Sequence, residues 1–383
     1  MNDQPTPSEP RPSLDEIALV FLKLGTTAFG GPAAHIAMMH DEFVRRRRWI
    51  TEEQFLDRLG AANLIPGPSS TEMAIHIGLL KRGWRGWLVA GVCFIVPAAI
   101  LVGIIAGIYV RFGELPRVAG VLFAVKPVVI AIIVQAFWNL GKTAVKSAWL
   151  GIIGVLGAAA YFLGVHELLI LAAAAVLATV PWWGKRAKPA AVFWISAIPV
   201  AASASEHMTV TLPRLFLTFL KIGTVLFGSG YVLLAFLRAD FIDRLHWLTQ
   251  KQLLDAVAVG QITPGPVFTT ATFIGYLVAG SRGAAVATVA IFLPAFLLVA
   301  ISGPLVPRIR RSKIASAALD GVIVASLALM GVVAWQLGRE AIVSWQTALI
   351  AVASAGLLLR FRVNSAWLVL GAALVGVVWR PVM

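Results

Sequence analysis

Ile65-Pro66-Gly67-Pro68-Ser69-Ser70-Thr71 stands in the first half of the chain, and Thr263-Pro264-Gly265-Pro266-Val267-Phe268-Thr269 answers it 198 residues later. The same offset relates Phe21-Leu22-Lys23-Leu24-Gly25-Thr26, with Phe29-Gly30, to Phe219-Leu220-Lys221-Ile222-Gly223-Thr224, with Phe227-Gly228. It also relates Trp49-Ile50-Thr51, Gln54 and Asp57 to Trp247-Leu248-Thr249, Gln252 and Asp255. After a slip of one residue, Arg85-Gly86 and Pro97 match Arg282-Gly283 and Pro294, and Trp138 with Leu140-Gly141 matches Trp335 with Leu337-Gly338. Repetition at this level of detail means two fused copies of one module.

The module is built for lipid. Of 383 residues, 59% are hydrophobic and 13% charged, where a soluble domain carries roughly a quarter charged. Apolar segments cover residues 17–39, 59–80, 87–110, 118–140, 148–163 and 167–182, then 214–237, 256–279, 284–306, 316–337, 344–359 and 366–379. The composition predicts an all-α polytopic membrane protein with two tandem homologous repeats and about 10–12 transmembrane helices, broken in each half. Residues 1–13 form a polar tail, 14–182 the first repeat, 183–212 a basic, proline-bounded linker, and 213–383 the second repeat. No length remains for a large extramembrane domain. The last two apolar segments of each half are short for a crossing and are read as one broken crossing.

Composition also excludes chemistries. The single Cys93 can form no intrachain disulfide and supplies no paired ligands, so neither metal nor cofactor is expected. The net charge of +14 could attract nucleic acid, acidic lipid or an anionic substrate. Its clusters, Arg45-Arg46-Arg47-Arg48 and Arg308-Ile309-Arg310-Arg311-Ser312-Lys313, fall between apolar runs, which favours membrane partners over nucleic acid. No cleaved signal peptide is visible before the first apolar run. No phosphate-binding Gly-x-x-x-x-Gly-Lys-[Ser/Thr] loop occurs, which points to ion gradients or membrane potential as the energy source.

Two-repeat transporters place substrate where interrupted helices of the two halves meet. Gly30-Gly31-Pro32 interrupts the first apolar segment, with Gly228-Ser229-Gly230 in the matching place, and Pro-Gly-Pro interrupts the second of both halves. A helix ending near Ile65 or Thr263 and restarting at Pro68 or Pro266 exposes fresh N–H groups, flanked by Ser69, Ser70 and Thr71 or by Thr269 and Thr270. Those are parts that bind anions. Lys23 and Lys221, with Thr26 and Thr224, supply positive potential and hydroxyls about two turns away, or else snorkel to the interface.

Glu72 and His76, four apart on one helix face, have no such pair in the second half, where Thr270 replaces Glu72. They are read as coupling residues: Glu72 protonated with the anion bound and ionised when the site is empty, serving antiport, with His76 as relay. Asp320 and Lys126 are expected to neutralise each other across the repeats, and Asp57 and Asp255, which recur as do Arg46 and Arg244, to act as interfacial anchors, capping groups or ion pairs.

Phe21 to Pro32, Trp49-Ile50-Thr51 before Gln54 and Leu56-Asp57, and Asn63 with Pro66-Gly67-Pro68 resemble the chromate ion transporter family in its long-chain, two-domain form. The second copy departs at Ser229, Gly230 and Tyr231. The resemblance implies a secondary transporter of the bacterial inner membrane that exports chromate and confers chromate resistance, with inverted repeats. Chromate or sulfate, both tetrahedral dianions, is the implied substrate. A sulfate or other oxyanion permease, a passive channel, and a membrane-embedded enzyme or lipid-handling protein are the alternatives. The enzyme reading lacks paired carboxylates, metal ligands or a nucleophile with its base.

Overall fold

The computed structural model describes residues 12–113, 116–183, 209–227, 232–361, 363 and 365–378. Most of the expected linker, residues 184–208, and the glycine break at Gly228 to Tyr231 lie outside the described residues. Among the described residues everything regular is helical. In the first half α1 spans Leu14–Thr27, α2 Gly31–His40, α3 Glu52–Ala62, α4 Ser69–Phe112, α5 Pro116–Ala144, α6 Ala148–Phe162 and α7 Glu167–Trp183. The second half repeats them as α8 (Leu212–Val225), α9 (Leu233–Leu237), α10 (Gln250–Ile262), α11 (Thr270–Arg311), α12 (Lys313–Ala341), α13 (Trp345–Phe361) and α14 (Ser365–Val378). Among the described residues, four helices are long and apolar enough to cross a membrane: within α4, α5, α11 and α12.

The first two apolar segments of each half do not cross as straight rods. Ser13 caps α1 by accepting from the Glu16 N–H. After α1 the chain turns at Ala28 to Gly30 and α2 comes back, so that Arg47, past a wide π-helical turn over Asp41–Arg46, reaches Glu16 at 2.6 Å. Thr51 and Gln54 form a capping box that starts α3, which runs inward again to Pro66-Gly67-Pro68. The first limb of α4 returns to Arg82, whose guanidinium donates to the Pro12 carbonyl at 2.6 Å. These are two helical hairpins that share one end, at the start of α1. Thr249 and Gln252 form the same capping box in the second half.

At Arg82-Gly83 the helix folds back on itself, and Ala279-Gly280 does the same in α11. The limbs close tightly because Gly78 faces Gly86, and Gly275 faces Gly283, with no room for a Cβ between them. The long second limb, residues 84–112, then runs roughly 42 Å, enough for a bilayer. It lies antiparallel to its equivalent in α11: the Trp87 indole donates to the Phe296 carbonyl well along that limb, while Gly107, near the far end of its own limb, faces Tyr276 just before the α11 fold at Ala279-Gly280. Helix α1 packs on this limb through Ile17, Val20, Phe21 and Leu24, a one-face spacing, with Gly25 against the Phe94 carbonyl. Helix α8 docks likewise through Leu215, Phe219 and Ile222, with Gly223 against the Ile291 carbonyl. In lipid, such close approach of small residues drives helix association.

Past the long limbs the two halves exchange elements. Helices α6 and α7 pack on α12 of the other half, and α13 and α14 pack on α5. Gly154 faces Val324, Gly321 faces the Ala174 carbonyl, and the Gln135 amide donates to the Leu358 carbonyl at 3.1 Å. The segments read as one broken crossing are instead two antiparallel helices: the Trp149 indole, at the start of α6, donates to Leu177 near the end of α7. The reversal comes from Leu163-Gly164-Val165, where Gly164 has φ +81° and Val165 bonds back to Ala160.

The expected Asp320–Lys126 pair does not form. Lys126 reaches Asp255 at 2.8 Å and Lys146 reaches Asp320 at 2.6 Å. Both bonds still join the halves. Of the roles expected for Asp255 the structure shows the ion pair, away from any interface: the residue is fully buried and also accepts from the Tyr109 hydroxyl at 2.8 Å.

Candidate functional site

The hairpin tips of the two halves meet. Gly67 N–H donates to the Leu226 carbonyl at 2.8 Å, and Gly265 N–H donates to the Ala28 carbonyl at 2.9 Å. Leu226 and Ala28 are equivalent positions, as are the two glycines, so each Pro-Gly-Pro turn bonds to the first-helix break of the opposite half. The glycines are required for this approach. Gly67 has φ +141° and Gly265 φ +87°, and a Cβ on Gly265 would stand 2.6 Å from that of Ala98.

Helix α4 begins at Ser69, directly after Pro68, and Ser69, Ser70, Thr71 and Glu72 of its first turn are all buried. The restart in the second half is different. There Val267–Thr269 form a single 3-10 turn before α11, and the Thr269 and Thr270 hydroxyls donate to the Pro266 and Val267 carbonyls at 2.8 Å each. The second copy spends its hydroxyls on its own backbone. The first copy does not: the Thr71 hydroxyl, both Glu72 carboxyl oxygens and both His76 ring nitrogens are buried without a hydrogen-bond partner among the described residues. Leaving that many polar groups bare is costly unless a ligand or water meets them. Gly67 and Glu72 are in contact, since a Cβ on Gly67 would run into the carboxyl oxygen.

The remaining expected site residues divide. Gly30 and Gly31 form the tip before α2, both at positive φ, with Pro32 just inside the helix. Pro66, Gly67, Pro68, Pro264, Gly265 and Pro266 form the two tips just described. Lys23 and Thr26 are exposed on α1, and Thr26 turns its hydroxyl onto its own helix, to the Leu22 and Lys23 carbonyls. Thr224 does the same with Leu220 and Lys221. Lys221 is held by Asp240 at 2.6 Å, with Glu167 at 3.7 Å, so its charge is already matched. Gly228 lies outside the described residues.

Sequence reading missed two residues. His35, on α2, is 1% exposed and sits between the tips, with Nε2 3.0 Å from the Ala28 carbonyl and Nδ1 3.3 Å from the Ser70 hydroxyl. Its signal was available: a histidine one turn past a glycine break, with Leu233 at the matching place of the second half. Arg58, on α3, is the charged neighbour of His76, and its Nε is buried without a hydrogen-bond partner among the described residues.

Two copies of a module with re-entrant hairpins, meeting tip to tip beside helices of bilayer length, define a multi-pass, two-repeat membrane transporter. The sequence pattern of the chromate transporter family matches residues 16–179 and again 213–377, and the chain belongs to that family. It is 35% identical to the chromate transport protein of Cupriavidus metallidurans, over 98% of this chain and 95% of that one. It is 33% identical to a probable chromate transport protein of Synechococcus elongatus, over 82% of each chain. With the chromate transport protein of Pseudomonas aeruginosa the identity is 31%, over 84% of this chain and 80% of that one. No solved structure matches the chain. The protein is thus a transporter and not an enzyme.

Proposed function

We propose that the chain carries chromate out of the bacterial cytoplasm across the inner membrane, holding the oxyanion where the re-entrant tips of the two halves meet. The observation that carries this reading is the reciprocal pair of tip bonds, Gly67 to Leu226 and Gly265 to Ala28, beside the bare hydroxyl and carboxyl groups that open α4. The names of the relatives supply the substrate. The antiparallel long limbs of α4 and α11 support inverted repeats, so that rocking one half against the other opens the tips to opposite sides in turn.

Glu72 sets the coupling. Ionised, it would repel a dianion by about 4 kcal/mol at about 4 Å with an effective dielectric constant near 20. The anion therefore loads when Glu72 carries a proton. A proton and an anion that load together travel the same way, so this carboxyl supports co-transport in place of the antiport read from the sequence. The remaining negative charge is driven outward by an inside-negative potential, at about 2.3 kcal/mol per charge per 100 mV.

Chromate and sulfate flux in proteoliposomes under imposed pH and voltage gradients tests substrate and coupling together. Replacing Pro66 and Pro264 with Ala should abolish flux in a normally inserted protein, because the tips would no longer break the helices. Full flux in that double variant sinks the proposed site.

A further inference from the structure

We propose that Arg58 is the cation that holds the oxyanion, binding it between α3 and the first limb of α4 with its guanidinium fork. The inference rests on the tip site proposed above and supplies the positive charge that site otherwise lacks.

A dianion inside a membrane protein needs a cation beside it. The two lysines expected from the sequence do not serve: Lys23 stands exposed on α1, and Lys221 is held by Asp240 and Glu167. His35 has both ring nitrogens engaged, by Ala28 and Ser70. Arg58 is different. It is half-buried and forms no hydrogen bond or ion pair among the described residues, with its Nε closed off from solvent. Its terminal nitrogens are not among the buried bare atoms, so the end of the fork stays within reach of an ion. An arginine that a fold keeps unmatched has its charge free for a ligand.

The hairpin sets Arg58 opposite the other bare groups. It lies eight residues before Pro66, and His76 lies eight residues after Pro68, so the two meet across the hairpin as neighbours. Glu72 is one turn nearer the tip on the same face of α4 as His76. Arg58 Nε, both Glu72 oxygens and both His76 nitrogens are buried without hydrogen-bond partners in this one stretch. Their donors suit a tetrahedral oxyanion: the guanidinium offers two parallel N–H groups, a neutral imidazole one, and a protonated carboxyl one, for four anion oxygens. The second half lacks the whole set. Ala256, Thr270 and Ile274 stand at the equivalent positions, all buried. The three groups occur together in one copy and are replaced together in the other, which implies one such site per chain.

Binding is read in detergent as the saturable rise in melting temperature on adding chromate or sulfate, with sodium chloride holding the ionic strength constant. Arg58→Gln should raise the apparent Kd for either anion at least about tenfold, the worth of one hydrogen bond to a charged group. It should not lower the melting temperature of the anion-free protein, because the Nε it removes bonds to nothing among the described residues. Arg58→Lys keeps the charge but loses the fork and should fall between the two. Thr71→Val, which deletes another bare group, probes the tip independently. An Arg58→Gln protein with wild-type Kd, beside a weakened Thr71→Val or Pro66→Ala/Pro264→Ala, overturns the assignment to Arg58 and leaves the tip site standing. An anion-free melting temperature lowered in both Arg58→Gln and Arg58→Lys marks a structural arginine and overturns it as well. Wild-type Kd in all of these variants, or no saturable shift in the wild type, overturns the tip site itself.

Discussion

Gly265→Ala tests whether the junction between the halves is as tight as the tip geometry demands. Three costs add. A side chain at φ +87° is left-handed, worth about 1–2 kcal/mol. The new methyl would stand 2.6 Å from the Ala98 Cβ and 3.0 Å from the Gly25 carbonyl oxygen, an overpacking of about 1–3 kcal/mol. Moving away to relieve it lengthens the Gly265 N–H bond to Ala28, which contributes about 1 kcal/mol. The total is about 3–6 kcal/mol. Gly164→Ala is the control, because Gly164 has φ +81° but nothing within 4 Å of its added Cβ. It should cost only the backbone term of about 1–2 kcal/mol. In detergent, the unshared cost of about 2–4 kcal/mol should separate the two variants in thermal unfolding by about 2–8 °C, on an extrapolated 1–2 °C per kcal/mol for a chain this long. Equal melting temperatures for the two would show that the tips do not pack as described and would refute the reasoning.

Four further outcomes follow from the same geometry. Glu72→Gln should keep anion exchange across vesicles while the pH gradient loses its influence on net flux; an unchanged pH response places the proton elsewhere. Asp255→Asn should cost up to about 3–5 kcal/mol in thermal unfolding, because it removes the counter-charge of the half-buried Lys126, whereas Asp255→Leu combined with Lys126→Met should cost less than either single change. Lys221→Met should lower stability with little change in the KM for chromate, since Asp240 and Glu167 already take up its charge; a large rise in KM with intact folding contradicts this. Burial pushes the Glu42 carboxyl upward, but the hydrogen bonds and charges of Arg47 and Arg46 outweigh it and hold the group below its usual range. A depressed carboxylate stabilises the fold above its unfolded pKa and loses that contribution as the pH falls through the folded value. The gap in thermal stability between wild type and Glu42→Gln should therefore be present at neutral pH and close below about pH 4.

Much of this architecture is legible in one sequence because it is written twice. The 198-residue offset fixes which helix corresponds to which, and the doubled Pro-Gly-Pro locates both tips. Hydropathy fails where a chain enters lipid and turns back: residues 17–39 read as one span because α1, its turn and α2 are all apolar, although α2 reverses direction. The partners of buried charges are also beyond periodicity. Lys126 lies close in alignment to Asp320, yet the antiparallel long limbs carry it to Asp255 on a different element. His35 is hard to read from sequence because a single histidine on an apolar helix has no partner there; its two partners, Ala28 and Ser70, are set by the fold of two hairpins.

The exchange of α6–α7 for α13–α14 bears on how the protein is made. Synthesis runs from the N-terminus, so α5 enters the membrane long before the helices that will cover it have been translated. Until the last few dozen residues emerge, the backbone beside Gly120, which receives Gly376 of α14, and the Gln135 amide, which awaits Leu358 of α13, face lipid. The first half therefore cannot mature domain by domain ahead of the second. Truncation within α13 or α14 exposes α5 as well as shortening the second half, and a ribosome that stops there releases a chain with two unfinished halves.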